Sequence, residues 1–410
     1  MRHDVIIIGA GPAGLSLARA LCSLSLKVAL VERQPESAIA QPAFDGREIA
    51  LTHASMRLMR ELGLWEHLPA EDISPLRAAR VMNGASPHAM EVDGGLQGHD
   101  ALGTLVPNHR IREAAWRAVE GMPTLERFFD ARIEAVHTDA SAAHVRLQDG
   151  TQLQASLLVA ADSRFSETRR ALGISADQHD FGKTMIVCRM RHDRSNEATA
   201  WEWFDHGQTL ALLPLQDHLS STVLTVPGNE ARQLMSMSPE DFAREMQRRY
   251  DGRLGDMQLE SERHAYPLVA VYARRFVAER FALAGDAAVG MHPVTAHGFN
   301  LGLASIERLR DLARTAQAEQ RDLGDARLLA RYQRRHRAGT WPLYTGTRAV
   351  VEIFTSERPA LRPIREGILR IGQRVLPFRR ALASHLVDEA PLDAPLARRV
   401  IASLSNLRPS

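Results

Sequence analysis

Residues Asp4–Glu32 read DVIIIGAGPAGLSLARALCSLSLKVALVE. A short apolar run, Val5 to Ile8, leads straight into Gly9-Ala10-Gly11-Pro12-Ala13-Gly14. A helical pattern follows, then a second apolar run, Val28 to Val31, which ends at the acid Glu32. Each part has a physical task. Gly9 allows a tight turn, Gly11 lets the backbone approach a pyrophosphate, and Gly14 lets the helix pack closely on the strand. The helix N-terminus offers unbonded N–H groups and the positive end of its dipole to phosphates. Glu32 stands where a carboxylate can accept hydrogen bonds from a ribose. A Gly-rich turn alone is a weak signal. Strand, turn, helix and acid together predict a dinucleotide site with Gly9, Gly11, Pro12, Ala13, Gly14, Glu32 and the adjoining Arg33.

Outward from this stretch, the chain has 410 residues, enough for two or three structural units, and 45% of them are hydrophobic. A formal net charge of +2 gives no reason to expect nucleic-acid binding. Cys22 and Cys188 fall in apolar patterns and read as core residues of a reducing compartment. No signal peptide is read at the N-terminus, and no uncharged apolar run reaches membrane-spanning length. The expected location is cytoplasmic.

Residues 54–66 and 108–121 carry helical periodicity, and residues 144–160 read as a hairpin around Asp149-Gly150. Between 184 and 227 strand-like runs follow one another closely, as in an antiparallel sheet. A helix pattern at 239–250 and a strand near 259–266 come next. Phe281 to Ala284 reads as a strand ending in Gly285-Asp286, and from about Phe299 the chain reads as mostly helical. The αβ part is therefore interrupted by a sheet-rich insertion.

Two further segments carry chemistry. One is Val159-Ala160-Ala161-Asp162-Ser163-Arg164, with Arg169 and Arg170 beyond it. The other runs from Phe281 through Gly285-Asp286 to His292-Pro293 and Gly298-Phe299-Asn300-Leu301-Gly302. A carboxylate at the strand end, Asp286, can meet the hydroxyls of a bound cofactor. The helix starting near Phe299 directs its dipole at an anionic ring edge or phosphate. Pro293 stiffens the loop and Gly298 permits close backbone approach.

These three segments, in this order, resemble the group A flavoprotein monooxygenases, the relatives of para-hydroxybenzoate hydroxylase. Within that group the chain is most similar to the ubiquinone-biosynthesis hydroxylases. Asp45-Gly46-Arg47-Glu48-Ile49-Ala50-Leu51, Leu62-Gly63-Leu64-Trp65, Leu212-Leu213-Pro214-Leu215 and Gly298-Phe299-Asn300-Leu301-Gly302 carry the likeness, over roughly residues 4–340. Ser163 stands where the family has glycine, and Ala296-His297-Gly298 where it has Gly-Gln-Gly. Both departures look like the demethoxyubiquinol hydroxylase type.

The resemblance implies an α/β fold, α+β overall. It would have a Rossmann-like FAD-binding domain of the para-hydroxybenzoate hydroxylase type, an inserted antiparallel substrate sheet and a helical C-terminus. The expected division is 1–71, 107–176 and 276–340 for FAD, 72–106 and 177–275 for the substrate sheet, and 341–410 as a helical C-terminal region. It implies that Glu32 binds the adenosine ribose, that Arg47 and Arg112 contact the phosphates or ribityl region, that Asp162 sits near the pyrophosphate, and that Asp286 binds the ribityl chain. The loop from His292 to Gly298 would flank the flavin. The implied reaction is hydroxylation of the aromatic ring of a prenylated quinol, preferably demethoxyubiquinol, through a flavin C4a-hydroperoxide. Molecular oxygen is the co-substrate. The cofactor supplies the hard chemistry, so no catalytic triad is expected. The electron donor stays open between NAD(P)H and a partner, because no second dinucleotide fingerprint exists. The oligomeric state is not assigned.

Alternatives stay open at this point. His292 and His297 read either as proton-relay or substrate contacts or as histidines that shape a loop. Other readings of the whole are a hydroxylase of another phenol or polyketide, and an FAD-binding scaffold of a ubiquinone-synthesis complex. Trp201-Glu202-Trp203 has a slight halogenase flavour, but the only lysines, Lys27 and Lys183, lie in no matching context. Alternation in an exposed strand is the simpler reading. A di-iron centre would need two Glu-x-x-His helical pairs, and Glu134 to His137 is the single one, in a strand-like region, so no metal site is predicted. Residues 358–385 hold seven arginines and one acid, with Leu361, Ile364, Ile368, Ile371 and Val375 at helical spacing. Such a helix either lies peripherally on the inner face of the cytoplasmic membrane, contacts a biosynthetic complex, or packs on the body of the protein.

Overall fold

A computed structural model describes residues 1–84, 86, 89–205, 207–292, 298–355, 365, 367 and 368. In chain order, β1 (Arg2–Ile8), α1 (Pro12–Cys22) and β2 (Val28–Val31) form the first βαβ unit. α2 (Glu36–Ala40), β3 (Glu48–Leu51) and α3 (His53–Glu61) follow. β4 (Ser74–Leu76), β5 (Ala78–Asn83), β6 (Met90–Asp93) and β7 (Gly103–Pro107) lead to α4 (Asn108–Arg117). β8 (Leu125–Phe128), β9 (Ile133–Thr138), β10 (Ala143–Leu147) and β11 (Gln152–Ala160) precede α5 (Glu167–Ala171). A meander of β12 (Ala176–His192), β13 (Thr199–Asp205), β14 (Gln208–Gln216) and β15 (Leu219–Pro227) comes next, then α6 (Gly228–Ser236) and α7 (Pro239–Arg249). The chain closes with β16 (Met257–Leu259), β17 (His264–Ala273), β18 (Val277–Ala278), β19 (Phe281–Leu283), β20 (Val289–Gly290), α8 (Gly298–Ala318) and α9 (Ala326–Thr355).

The first sheet runs β18-β19-β11-β1-β2-β8, with β10 paired to β11 and β9 to β10. β1 lies parallel to both β11 and β2, with Val5 opposite Leu157 and Val28. A central parallel strand is covered on both faces, so its sequence is apolar without alternation. Val5, Ile6 and Ile7 are accordingly 0% exposed. α1 begins with Pro12 in its first turn, where the missing N–H costs nothing, and buries Leu15, Leu17, Ala18 and Leu21 on this sheet. α8 packs into the same core through Leu303, Ile306 and Leu309.

The second sheet has nine strands in the order β20-β17-β12-β15-β14-β13-β5-β6, with β16 on β12. Most pairs are antiparallel, but β5 joins β13 in parallel, so the segment before α4 contributes strands to the sheet formed after α5. Its outer face is closed by α6 and α7, which bury Leu234, Phe242 and Met246 against Trp203, Leu210 and Leu224. A small antiparallel sheet, β3-β7-β4, lies between the two larger ones, and Ala50 of β3 shares with Ala200 and Leu213 of the second sheet a cluster built on Leu76, Val92, Leu102 and Leu105. Trp203 is 6% exposed and β13 is flanked by β14 and β5, so the expected exposed strand is an interior one. Among the described residues no helix is long and apolar enough to cross a membrane.

Of the basic C-terminal stretch 358–385, only Arg365, Gly367 and Ile368 lie within the described residues. Ile368 packs with Met90, Phe204 and Phe354, and Arg365 Nε donates to Ile353 O at 2.7 Å.

Candidate active site

The three chemical segments meet at the C-terminal edge of the first sheet. Gly9 has φ +102°, and a Cβ there would lie 2.6 Å from Ala161 O and 2.7 Å from Asp162 Cα. Only glycine allows the turn to touch the second segment this closely. A Cβ on Gly14 would sit 1.8 Å from Gly9 O, which is the close helix–strand contact inferred for that position. A Cβ on Gly285 would come 3.0 Å from Ala13 Cβ, so the third segment touches the start of α1. Gly11 caps α1 without any side-chain hydrogen bond, and a Cβ there would meet nothing within 4 Å. The space in front of the helix N-terminus is open, and the first-turn N–H groups face it.

Glu32 does more than await a ribose. Its Oε2 accepts from Ala10 N at 2.7 Å and its Oε1 from Gln34 N at 2.9 Å. The carboxylate holds the turn in shape while each oxygen keeps a lone pair. Arg33 is exposed beside it. Arg112, on α4, is half-buried, and its nearest charges are Asp45, Arg47 and Glu32. Burial lowers its pKa, and among the described residues it makes no hydrogen bond or ion pair. A desolvated guanidinium without a protein anion is suited to a bound phosphate. Arg47 is engaged instead: its Nη2 pairs with Asp45 Oδ2 at 2.6 Å, and its guanidinium lies 5.4 Å from the Tyr266 ring centre. Asn108 Nδ2 donates to Asp45 Oδ2 at 2.7 Å and Tyr266 OH to Asp45 O at 2.7 Å, which fixes the loop.

Asp162 Oδ2 accepts from Ser166 Oγ at 2.9 Å and Thr168 Oγ1 at 3.1 Å, whereas Oδ1 is buried without a partner among the described residues. An orphaned carboxylate oxygen beside the Gly-rich turn is a ready acceptor for a ligand hydroxyl. Ser163, where glycine was expected, is not among the residues with positive φ, so its side chain introduces no backbone strain. Asp286 follows β19 as expected, but its Oδ2 pairs with Arg164 Nη2 at 2.9 Å. Arg164 Nη1 also donates to Val269 O at 3.0 Å, and Arg169 Nη1 to Ala287 O at 2.9 Å. These two arginines lock the second segment onto the third. Reading the sequence assigned them no role, and only the buried position of Arg169, 1% exposed, reveals one.

Gly298 opens α8, and Phe299 is half-buried against the first core. Asn300 is 3% exposed and bonds to the backbone: its Nδ2 donates to Ala50 O at 2.8 Å, and its Oδ1 accepts from Thr52 N at 3.2 Å. The side chain assigned to the cofactor therefore fastens the helix N-terminus to β3. Pro293 and His297 lie outside the described residues. His292 is described. Its ring packs edge-on against Phe181 at 4.7 Å, and burial, then the charges of Lys183 and His179, lower its pKa to about 4. The imidazole is neutral near pH 7.

Residues 2–346 match the family described as FAD binding domain. The chain is 45% identical over 392 residues to the ubiquinone hydroxylase UbiM of Neisseria meningitidis, covering 94% of this chain and 85% of that protein. It is 32% identical over 390 residues to the ubiquinone hydroxylase UbiL of Rhodospirillum rubrum, covering 95% and 90%. The chain belongs to the ubiquinone hydroxylases. Among solved structures, p-nitrophenol 4-monooxygenase PnpA of Pseudomonas putida superposes with a TM-score of 0.75 at 18% identity, over 96% of this chain and 99% of that one, a likeness of fold. As a member of this family the protein is an FAD-dependent monooxygenase. The open helix N-terminus, the unpaired Arg112 and the orphaned Asp162 oxygen fit FAD along the line where the three segments meet.

Proposed function

We propose that this protein hydroxylates the aromatic ring of a prenylated benzoquinol intermediate of ubiquinone synthesis, with demethoxyubiquinol as the preferred substrate. The observation that carries the reading is the 45% identity to a ubiquinone hydroxylase across 94% of the chain. A 26% identical relative over 372 residues, the 3-demethoxyubiquinol 3-hydroxylase of Escherichia coli, supports the choice of substrate. Bound FAD, once reduced, supplies the electrons and the ring that activates oxygen. The chain's own residues hold and orient. The N-terminus of α1 and Arg112 take the pyrophosphate, Glu32 the adenosine ribose, Asp162 and Asp286 the hydroxyls beyond it, and the segment from His292 to Gly298 lies along the flavin. The proposed division of labour gives FAD the first sheet with α1 and α8, and the quinol the inner face of the second sheet.

That inner face carries an apolar cluster. Met185 and Val187 of β12, Val223 of β15 and Leu268 of β17 cluster on it. It suits a ring carrying a hydrocarbon tail, because both gain by leaving water. The arginine-rich composition of 358–385 would suit a peripheral contact with the membrane in which such a substrate is dissolved. Expression in cells stripped of their own quinone-ring hydroxylases, followed by mass spectrometry of the extracted quinones, tests the reading. Restored ubiquinone is expected. Accumulated demethoxyubiquinone with no conversion overturns the preferred substrate.

A further inference from the structure

Alternation along β13 sends Trp201 and Trp203 to the outer face, where both pack in the cluster that includes Phe242 and Tyr250. Glu202 therefore leaves the strand on the inner face. Along the strand it lies between Ala200 and Phe204, and directly across from it stand Ala211 of β14 and Val81 of β5. Ala200 packs on the cluster of Leu76, Val92, Leu102 and Leu105, as does Ala50 of the small sheet, whose carbonyl oxygen holds Asn300 at the start of α8. Phe204 is covered by Phe354 of α9, ring centres 4.8 Å apart. Both flanks are closed, yet Glu202 between them keeps partial solvent access. Its carboxyl therefore leaves the sheet on the face that carries the small sheet, α9 and the Met185–Val187 cluster. Small side chains at Ala200 and Ala211 leave room there.

Among the described residues nothing donates to this carboxyl or pairs with it. Burial alone raises its pKa well above the usual carboxylate range. The contrast with Glu48 is direct. That side chain is also buried, but Arg189 Nη2 meets its Oε1 at 2.8 Å. An unpartnered carboxyl among apolar neighbours costs stability and is left that way where a ligand supplies the missing hydrogen bond.

We propose that Glu202 contacts the substrate directly, its carbonyl oxygen accepting a hydrogen bond from a ring hydroxyl of the quinol and so setting which ring carbon faces the flavin. The inference rests on the quinol reading above and adds the residue that reads the ring. No bond is made or broken in this contact; the proton stays shared between two oxygens.

The test uses the full FAD-loaded chain and two probes, a short-tailed prenylated benzoquinol and the same molecule with its ring hydroxyls methylated. Binding is read from the flavin absorbance without oxygen. Wild type should prefer the hydroxyl form. Glu202→Leu should weaken that form by about tenfold, the value of one hydrogen bond, and leave the ether unchanged. Glu202→Gln keeps a carbonyl oxygen and should retain most of the preference. Both variants should hold FAD as wild type does, and Glu202→Leu should melt no lower, since it removes an unpaired polar group. An unchanged preference in Glu202→Leu overturns the inference and leaves the quinol reading standing. A wild-type protein that binds neither probe overturns both.

Discussion

In the Gly9–Gly14 turn Ala10 N is held by Glu32 and Gly9 N by Val31 O, which leaves the N–H groups of the first helical turn for a ligand, whereas on the inner face of the second sheet Glu202 has no partner among the described residues. The first region is built from backbone. It presents a preformed cradle, and the ligand is recognised by N–H groups that any sequence with the right glycines would display. The second is built from side chains brought together by strand pairing, and Glu202 is a polar group on it that no described residue satisfies. A cofactor common to a whole family suits the first kind of site, and a substrate that differs between members suits the second.

Gly14→Ala presses hardest on this contrast. Its Cβ would stand 1.8 Å from the Gly9 carbonyl oxygen, and a turn held between two sheet strands cannot retreat. The loss should be about 4 kcal/mol or more, in the range of severe core lesions. Purified protein would then be FAD-free with a strongly lowered melting temperature, and a variant that keeps both at wild-type values would show that the turn is not a rigid cradle.

Arg112→Gln should act on the ligand alone. Because the guanidinium has no partner among the described residues, the FAD-free chain should melt as wild type does. FAD affinity should fall by about 10- to 100-fold, the value of one or two hydrogen bonds to a charged group. A titration with FAD alongside a melting curve separates the two effects. A drop in FAD-free stability equal to the loss in affinity would make Arg112 part of the fold rather than of the site.

The smallest expected effect is electrostatic. His292 has a folded pKa of about 4 against 6.5 for the free side chain. Between those values the unfolded chain binds the proton and the folded one does not. Stability from the neutral ring is therefore complete above 6.5 and is lost as pH falls toward 4. His292→Gln should flatten this part of the curve, so that its melting temperature falls less than that of wild type from pH 7 to pH 5. Parallel curves would mean that the ring is protonated in the folded protein.

Much of the cofactor side was legible from residues in a row. The Val5–Ile8 run, the spacing of the three glycines and the strand-end acid each describe local backbone geometry, and the structure places them as read. The middle sheet was legible as strands, but not its neighbours. Nothing local announces that β5 would pair in parallel with β13, more than a hundred residues later, or that this pairing would make the Trp201–Trp203 strand an interior one. Asn300 was read as a cofactor residue from the Gly298–Gly302 motif. Its amide also bridges Ala50 and Thr52, about 250 residues away in the chain, which no local pattern announces.

By itself, then, the sequence determined a nucleotide-binding βαβ unit, its three-segment cofactor line and membership in a hydroxylase family. These follow from the φ angles glycine permits and from periods of burial that a short stretch can encode. Only the tertiary structure decided that Asp286 meets Arg164, that Arg112 has no partner among the described residues, and that Glu202 faces inward. Partners of that kind depend on strand order and register across the whole chain, and a shift of one residue in β13 would have turned Glu202 toward α7 and a tryptophan toward the inner face.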